Sequence, residues 1–265
     1  MDTNRASWIP VATPDGVFGA GRTERVIEIP WAQSWLGQGG SGKAAAILDI
    51  GFALSDLDWL AALLGQVDAG ASVTAVDIIT PERVASRYPE ALREKALRTP
   101  VIIGDVRTAP VPVAAFDVVT CISTIEHVGF DAKGSTDASA FARWDSVKAT
   151  PDSRDPAVTG DVMAAIGRAL RPGGLALVTV PMGKGGAVPV RDRLGYYTRQ
   201  FEYDAGTWPG IAAAPGFRLR EQRFFTGMGE AGWREVAGPA DLAHQTAWLT
   251  PHATGVAVAA LERLS

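Results

Sequence analysis

The chain has 265 residues, 47% of them hydrophobic and 20% charged, which suits a globular protein with a substantial core. Its 25 Lys and Arg against 29 Asp and Glu give a net charge of −4 without any long basic run, which excludes the electrostatic footprint of a general nucleic-acid binder. The single cysteine, Cys121, cannot close an internal disulfide, the first residues lack a charged-then-apolar leader, and no apolar run reaches the roughly 18 residues of a membrane span. The expectation is a cytoplasmic protein with a small-molecule partner, no nucleic-acid or membrane partner, and an oligomeric state the sequence leaves open.

Residues 1–43 are rich in Gly, Pro and Trp and hold one amphipathic piece, Val26 to Leu36, before the turn-like run Gly37-Gln38-Gly39-Gly40-Ser41-Gly42. They read as an N-terminal lid on a single domain spanning 44–265. Ala44 to Gly51 reads as a buried strand ending at a glycine. Ser55 then reads as a helix N-cap with Asp58 three residues on, and Leu57, Leu60, Ala61 and Leu64 follow at helical spacing. Ser72 to Asp77 is a second strand, Pro81 to Leu97 a helix, Val101 to Asp105 a third strand and Phe116 to Ser123 a fourth. Asp161 to Leu170 reads as a helix closed by Arg171-Pro172-Gly173-Gly174, with Leu175 to Val180 as the fifth strand. The tail changes character. Phe217 to Phe225 alternates with period two and Gly255 to Leu261 is a second β-like run, which predicts an antiparallel pair.

Alternating strands and helices demand crossover connections and hence parallel neighbours. The predicted fold is α/β and Rossmann-like, a mostly parallel seven-stranded sheet with helices on both faces and the antiparallel pair at the C-terminal end. In such sheets ligands sit at the carboxyl ends of the strands where strand order reverses. Three of those ends carry acids: Asp49 before the Gly51 turn, Asp77 and Asp105.

The runs Ile47-Leu48-Asp49-Ile50-Gly51, Val76-Asp77, Gly104-Asp105, Phe116-Asp117-Val118-Val119 and Leu170-Arg171-Pro172-Gly173-Gly174, in that order, resemble the class I S-adenosylmethionine-dependent methyltransferases across roughly residues 44–181. Ser123-Thr124-Ile125-Glu126-His127-Val128-Gly129 and Thr179-Val180-Pro181-Met182-Gly183 are similar, more narrowly, to bacterial methyltransferases of glycan and natural-product pathways. The resemblance implies S-adenosylmethionine as cofactor. It places Asp49, Gly51, Ala53 and Ser55 at the methionine part, Asp77 and Ile78 at the ribose, Asp105 and Val106 at the adenine, and Ser123 beside the bound molecule. A glycine at position 51 suits close backbone approach, and an acid can take both ribose hydroxyls. The family's Gly-x-Gly-x-Gly turn is here Gly51-Phe52-Ala53-Leu54-Ser55, so one glycine remains.

His127 follows the fourth strand, where an acceptor would meet the methyl group. A neutral imidazole there can remove the proton of a hydroxyl nucleophile as it attacks, or else the ring packs against the cofactor or caps a helix. Residues 129–156 read as an inserted loop near the acceptor, a second piece of cover. Their carboxylates Asp131, Asp137, Asp145, Asp152 and Asp155 match no metal-ligand spacing, so no metal is expected. The predicted activity is methyl transfer to a hydroxyl of a sugar or natural product. Its rivals are N-methylation of a small amine, a nicotinamide-dependent oxidoreductase and a non-catalytic cofactor-binding module. The oxidoreductase needs a Gly-x-Gly-x-x-Gly turn, which residues 51–56 lack.

Overall fold

The computed structural model describes residues 16–36, 45–129, 157–186, 188–191, 197–245 and 253–265. Nine strands form one sheet: β1 (Val17–Phe18), β2 (Ala46–Ile50), β3 (Ser72–Asp77), β4 (Val101–Ile103), β5 (Phe116–Ile122), β6 (Leu170–Pro181), β9 (Phe217–Gly227), β10 (Trp233–Val236) and β11 (Gly255–Arg263). Their order is β1-β10-β9-β11-β6-β5-β2-β3-β4. The pairs β3–β4, β2–β3, β2–β5 and β5–β6 are parallel, and β6–β11, β9–β11, β9–β10 and β1–β10 are antiparallel. The expected seven strands are therefore present, but the sheet is larger and evenly mixed. The two additions escape sequence reading for a physical reason: β1 has 2 residues and β10 has 4, too few for a period-two pattern. A separate antiparallel pair, β7 (Val188–Arg191) and β8 (Tyr197–Glu202), packs β8 against the turn 125–127 that follows β5.

Helices cover both faces. Ile27, Trp31 and Trp35 of α1 (Arg25–Leu36) join Trp59, Leu60, Leu63 and Leu64 of α2 (Leu57–Asp68) and Tyr88 and Ala96 in one buried cluster, with Ile47, Val118 and Val258 from the sheet. Residues of α4 (Val158–Ala169) and α5 (Pro209–Ala212) form the other cluster with Leu48, Val119, Val178 and Ala257. Each large apolar side chain buried this way contributes about 1.5–3 kcal/mol before entropic costs. The N-terminal segment is built into this core over residues 16–36. Trp31 donates its Nε1 hydrogen to Glu221 at 2.8 Å, and Trp233 donates to the carbonyl of Arg22 at 2.9 Å.

Three predicted boundaries move. The helix expected over Pro81–Leu97 splits into a 3-10 turn, Pro81–Arg87, and α3 (Glu90–Arg98), because Tyr88 precedes Pro89 and adopts an extended backbone at ψ 128. The N-cap of α2 is Asp56, whose carboxylate accepts from the Asp58 amide at 2.9 Å. Ser55 instead bonds backward into its own turn. The helix expected to start at Asp161 starts at Val158.

Chain order reverses at β2: β3 and β4 lie on one side of it, β5 and β6 on the other. A crevice opens at the carboxyl ends of such a pair, and the candidate site is built there.

Candidate active site

The turn after β2 is held by side chains. Gly51 has φ +89, and a Cβ on it would lie 2.5 Å from Thr124 Oγ1, so glycine is required at this position. Among the described residues the only non-glycine positive φ angles belong to Ala114 and Ser123, so Ala53 and Ser55 need no glycine conformation. They are tied instead. The Ala53 amide donates to Asp77 Oδ2 at 2.8 Å and its carbonyl accepts from the Tyr88 hydroxyl at 3.0 Å, while Ser55 Oγ donates to the Gly51 carbonyl at 3.0 Å. Burial pushes the Tyr88 hydroxyl up to about 12, which keeps it a donor. Ala53 is itself buried, so the turn presents backbone and Ser55 more than side chains.

Asp77 ends β3 with both carboxylate oxygens engaged, Oδ2 by Ala53 and Oδ1 by the Ile79 amide at 2.9 Å. It thus couples two loops of the crevice, with Ile78 half-buried between them. Asp105, past β4, is gripped by Arg107 through its backbone amide at 2.9 Å and its guanidinium, and these bonds hold its carboxyl below the ordinary range. Its neighbour Val106 is buried in the core, so that position offers its backbone. Asp49 is fully buried. It accepts from Thr120 at 2.6 Å and from Trp59 Nε1 at 3.1 Å, and its Oδ2 lacks a partner. Burial raises its carboxyl to about 7.

The turn after β5 is built differently. Ser123 has φ +46, a left-handed conformation that costs a non-glycine residue roughly 1–2 kcal/mol. Its amide donates to the Thr179 carbonyl at 3.2 Å and to Thr179 Oγ1 at 2.9 Å. Thr179 Oγ1 in turn donates to Glu28 Oε1 on α1 at 2.7 Å, and Arg25 donates to Glu28 Oε2 at 2.6 Å. Glu126 lies in the same turn, buried, with Oε2 unpartnered and its carboxyl raised to about 8, first by burial and then, through charge, by Glu28; its bond to Ser123 opposes both. His127 is open, its side chain 44% exposed against 2% for Glu126, with Nε2 at 3.9 Å from Glu126 Oε1. Glu202, at the end of β8, is buried with Oε1 unpartnered, and burial raises it to about 7.

The structure therefore gathers Asp49, Gly51, Ala53, Ser55, Asp77 and Ile78 around one crevice and joins Ser123 and His127 to it, since Thr124 packs on Gly51. Asp105 and Val106 follow β4, whose strand pairs with β3. Residues 130–156, with Trp144 and the loop acids, lie outside the described residues, as does His252. His244 is exposed and bridges to Lys184. Cys121 is buried and its thiol raised by burial, the behaviour of a small core residue. Glu28, Thr179 and Tyr88 carry no sequence signal as site residues, because their partners are 151, 56 and 35 positions away. Glu126 stands beside His127 and could have been read from that neighbourhood.

Residues 48–145 match the family described as a methyltransferase domain. This match and the fold agree with the expected class I S-adenosylmethionine-dependent methyltransferase and with S-adenosylmethionine as the cofactor. An S-adenosylmethionine-dependent methyltransferase from Methanosarcina mazei superposes with a TM-score of 0.51 at 15% identity, covering 84% of this chain and 93% of that one. The 1,6-didemethyltoxoflavin-N1-methyltransferase of Burkholderia thailandensis, solved with that substrate and S-adenosylhomocysteine, superposes at 0.50 with 16% identity, covering 90% and 79%. At such identities the likeness concerns the fold. No curated protein matches the chain. Among the described residues, no helix is long and apolar enough to cross a membrane, and no group of three or more His, Cys, Asp or Glu is placed to hold a metal ion.

Proposed function

We propose that this protein transfers a methyl group from S-adenosylmethionine to a small-molecule acceptor, a hydroxyl on a sugar or natural product. The observation that carries the reading is the strand-order reversal at β2, where Asp77 ends β3 and ties the Ala53 amide of the adjoining glycine turn. The residues fit the cofactor. The 51–55 backbone and the buried, half-satisfied Asp49 suit its methionine part, Asp77 its ribose diol, and the Asp105–Val106 loop its adenine. When bound, the cofactor supplies an electrophilic methyl on a sulfonium.

Such a displacement needs alignment above all, and the rigid ties of both turns supply it. Ser123 sits beside the bound molecule, and His127, exposed at the end of the β5 turn, accepts the acceptor's proton. Isothermal titration with S-adenosylhomocysteine and with NAD tests the reading. Binding of the first and not the second is expected; binding of NAD alone would overturn it. Methyl transfer to a panel of hydroxyl and amine acceptors then distinguishes O- from N-methylation, and turnover of amines alone would remove the hydroxyl assignment.

A further inference from the structure

Five groups converge behind the β5 turn: Arg25 and Glu28 from α1, Ser123 and Glu126 from the turn itself, and Thr179 from β6. Two of them, Glu28 and Glu126, are carboxylates shut away from water at 0% and 1% exposure. Charges in such a place need partners. Arg25 makes its short bond, 2.6 Å, to Glu28, and Thr179 satisfies the other Glu28 oxygen. Glu126 receives a hydrogen bond from Ser123, but no cation among the described residues lies that close to it, and Oε2 is unsatisfied. The nearest group able to become its cation is the imidazole of His127, at 3.9 Å from Oε1.

We infer that Glu126 is a positioning residue for His127: the buried carboxylate orients the ring and stabilises it once it has taken the acceptor's proton, while Arg25, Glu28 and Thr179 fix Glu126 in place. The inference rests on the methyltransferase reading for its purpose and on geometry alone for the pairing. The proton comes from the acceptor as its lone pair is committed to the new bond, and it passes to the ring nitrogen. Before that, one proton is shared between ring and carboxyl, so the two titrate as a pair. The other titratable or charged groups facing Glu126 are Glu28 and Arg25 from α1, Cys121 from β5 and Glu202 from β8, the strand packed on this turn.

The test needs no acceptor. The chain has 3 histidines, so the ring signal of His127 can be assigned by comparison with His127→Asn and followed by NMR from pH 5 to 9.5. The wild-type ring signal should show two steps, one as the ring loses its proton and a second above pH 7 as the neighbouring carboxyl ionises and shifts that signal. In Glu126→Gln the second step should vanish, leaving one step near the ordinary imidazole value of about 6.5. Glu28→Gln frees Arg25 to compensate Glu126, so the second step should weaken there too, and this variant carries the test if Glu126→Gln does not fold. The same single step in the wild type and in both variants would overturn the pairing. S-adenosylhomocysteine affinity, measured alongside, should change less than threefold in both variants. Loss of that affinity in the wild type would instead count against the methyltransferase reading, whatever His127 does.

Discussion

The two turns that flank the crevice solve one problem by opposite means. The turn at 51–55 is made of neutral residues tied to Asp77 and Tyr88 by hydrogen bonds through Ala53, around one left-handed glycine. The turn at 123–127 is left-handed at a serine, carries a buried acid with an unpartnered oxygen, and is braced by a second buried acid from a distant helix. A surface that holds a ligand by its backbone is well served by satisfied, stiff geometry. One that moves a proton needs charge kept away from water, because only there does a neighbouring group change a proton's affinity by much. The strained serine falls on the side where chemistry is proposed, while each side keeps a buried carboxylate oxygen without a partner, Asp49 Oδ2 before the first turn and Glu126 Oε2 in the second.

His127→Asn should show the largest effect, a loss of about 10²–10⁴ in turnover on any acceptor the wild type uses, with S-adenosylhomocysteine affinity retained. Near wild-type turnover in a folded variant would make both turns passive and erase the contrast. Asp77→Ala should weaken S-adenosylhomocysteine binding by about 2–4 kcal/mol, read by calorimetry, because the ribose contacts and the Ala53 tie go together. Unchanged affinity would take Asp77 out of the site.

Gly51→Ala should cost about 1–2 kcal/mol of folding stability for the left-handed backbone alone, measured by denaturant unfolding, with the contact to Thr124 adding to it. Thr124→Ala in the same chain should recover the contact part and leave the backbone part, and full recovery would show that φ +89 imposes no cost there.

A further expected effect is on pH. Asp49, Glu202 and Glu126 have folded-state values raised to about 7, 7 and 8, against 3.8, 4.5 and 4.5 ordinarily. The folded chain therefore binds more protons than the unfolded one between these limits. Stability from these groups is full below about pH 4 and is lost as pH rises through 7 to 8. Asp105, held low, adds a contribution that stays constant above pH 5. The melting temperature should fall from pH 5 to pH 9, and Asp49→Asn should flatten that fall. An equal slope in the variant would mean Asp49 does not carry its share.

Much of this was legible in the chain. Strands with buried runs such as Ala46–Ile50 and Phe116–Ile122, and the acids closing them, are local patterns, and Asp49, Asp77 and the Gly51 turn come together where the strand-order rule places them. The missing glycines at 53 and 55 are explained only by the structure, because their substitute is a Tyr hydroxyl from residue 88 and an acid from residue 77. The acceptor-side brace could not be read at all. Glu28 looks in sequence like a surface acid on an amphipathic helix, and only the docking of α1 over β5 and β6 buries it. The even mix of parallel and antiparallel strands was missed because β1 and β10 are too short to signal themselves.

The long reach of the N-terminal helix has a consequence for how the protein is made. Its anchors lie far downstream: Glu28 bonds to Thr179, Trp31 to Glu221, and Arg22 to Trp233, separations of 151, 190 and 211 positions. At a synthesis rate of about 5–20 residues per second, α1 leaves the ribosome roughly 10–40 s before Trp233 does. Through that interval β2 and β5, whose Ile47 and Val118 share the buried cluster of Trp31 and Trp35, are already made, while the polar anchors of the segment still lack their partners. The cofactor side of the crevice can therefore be assembled on a nascent chain, and the proton-handling side cannot. Birth order thus makes the partners of the first turn available before those of the second.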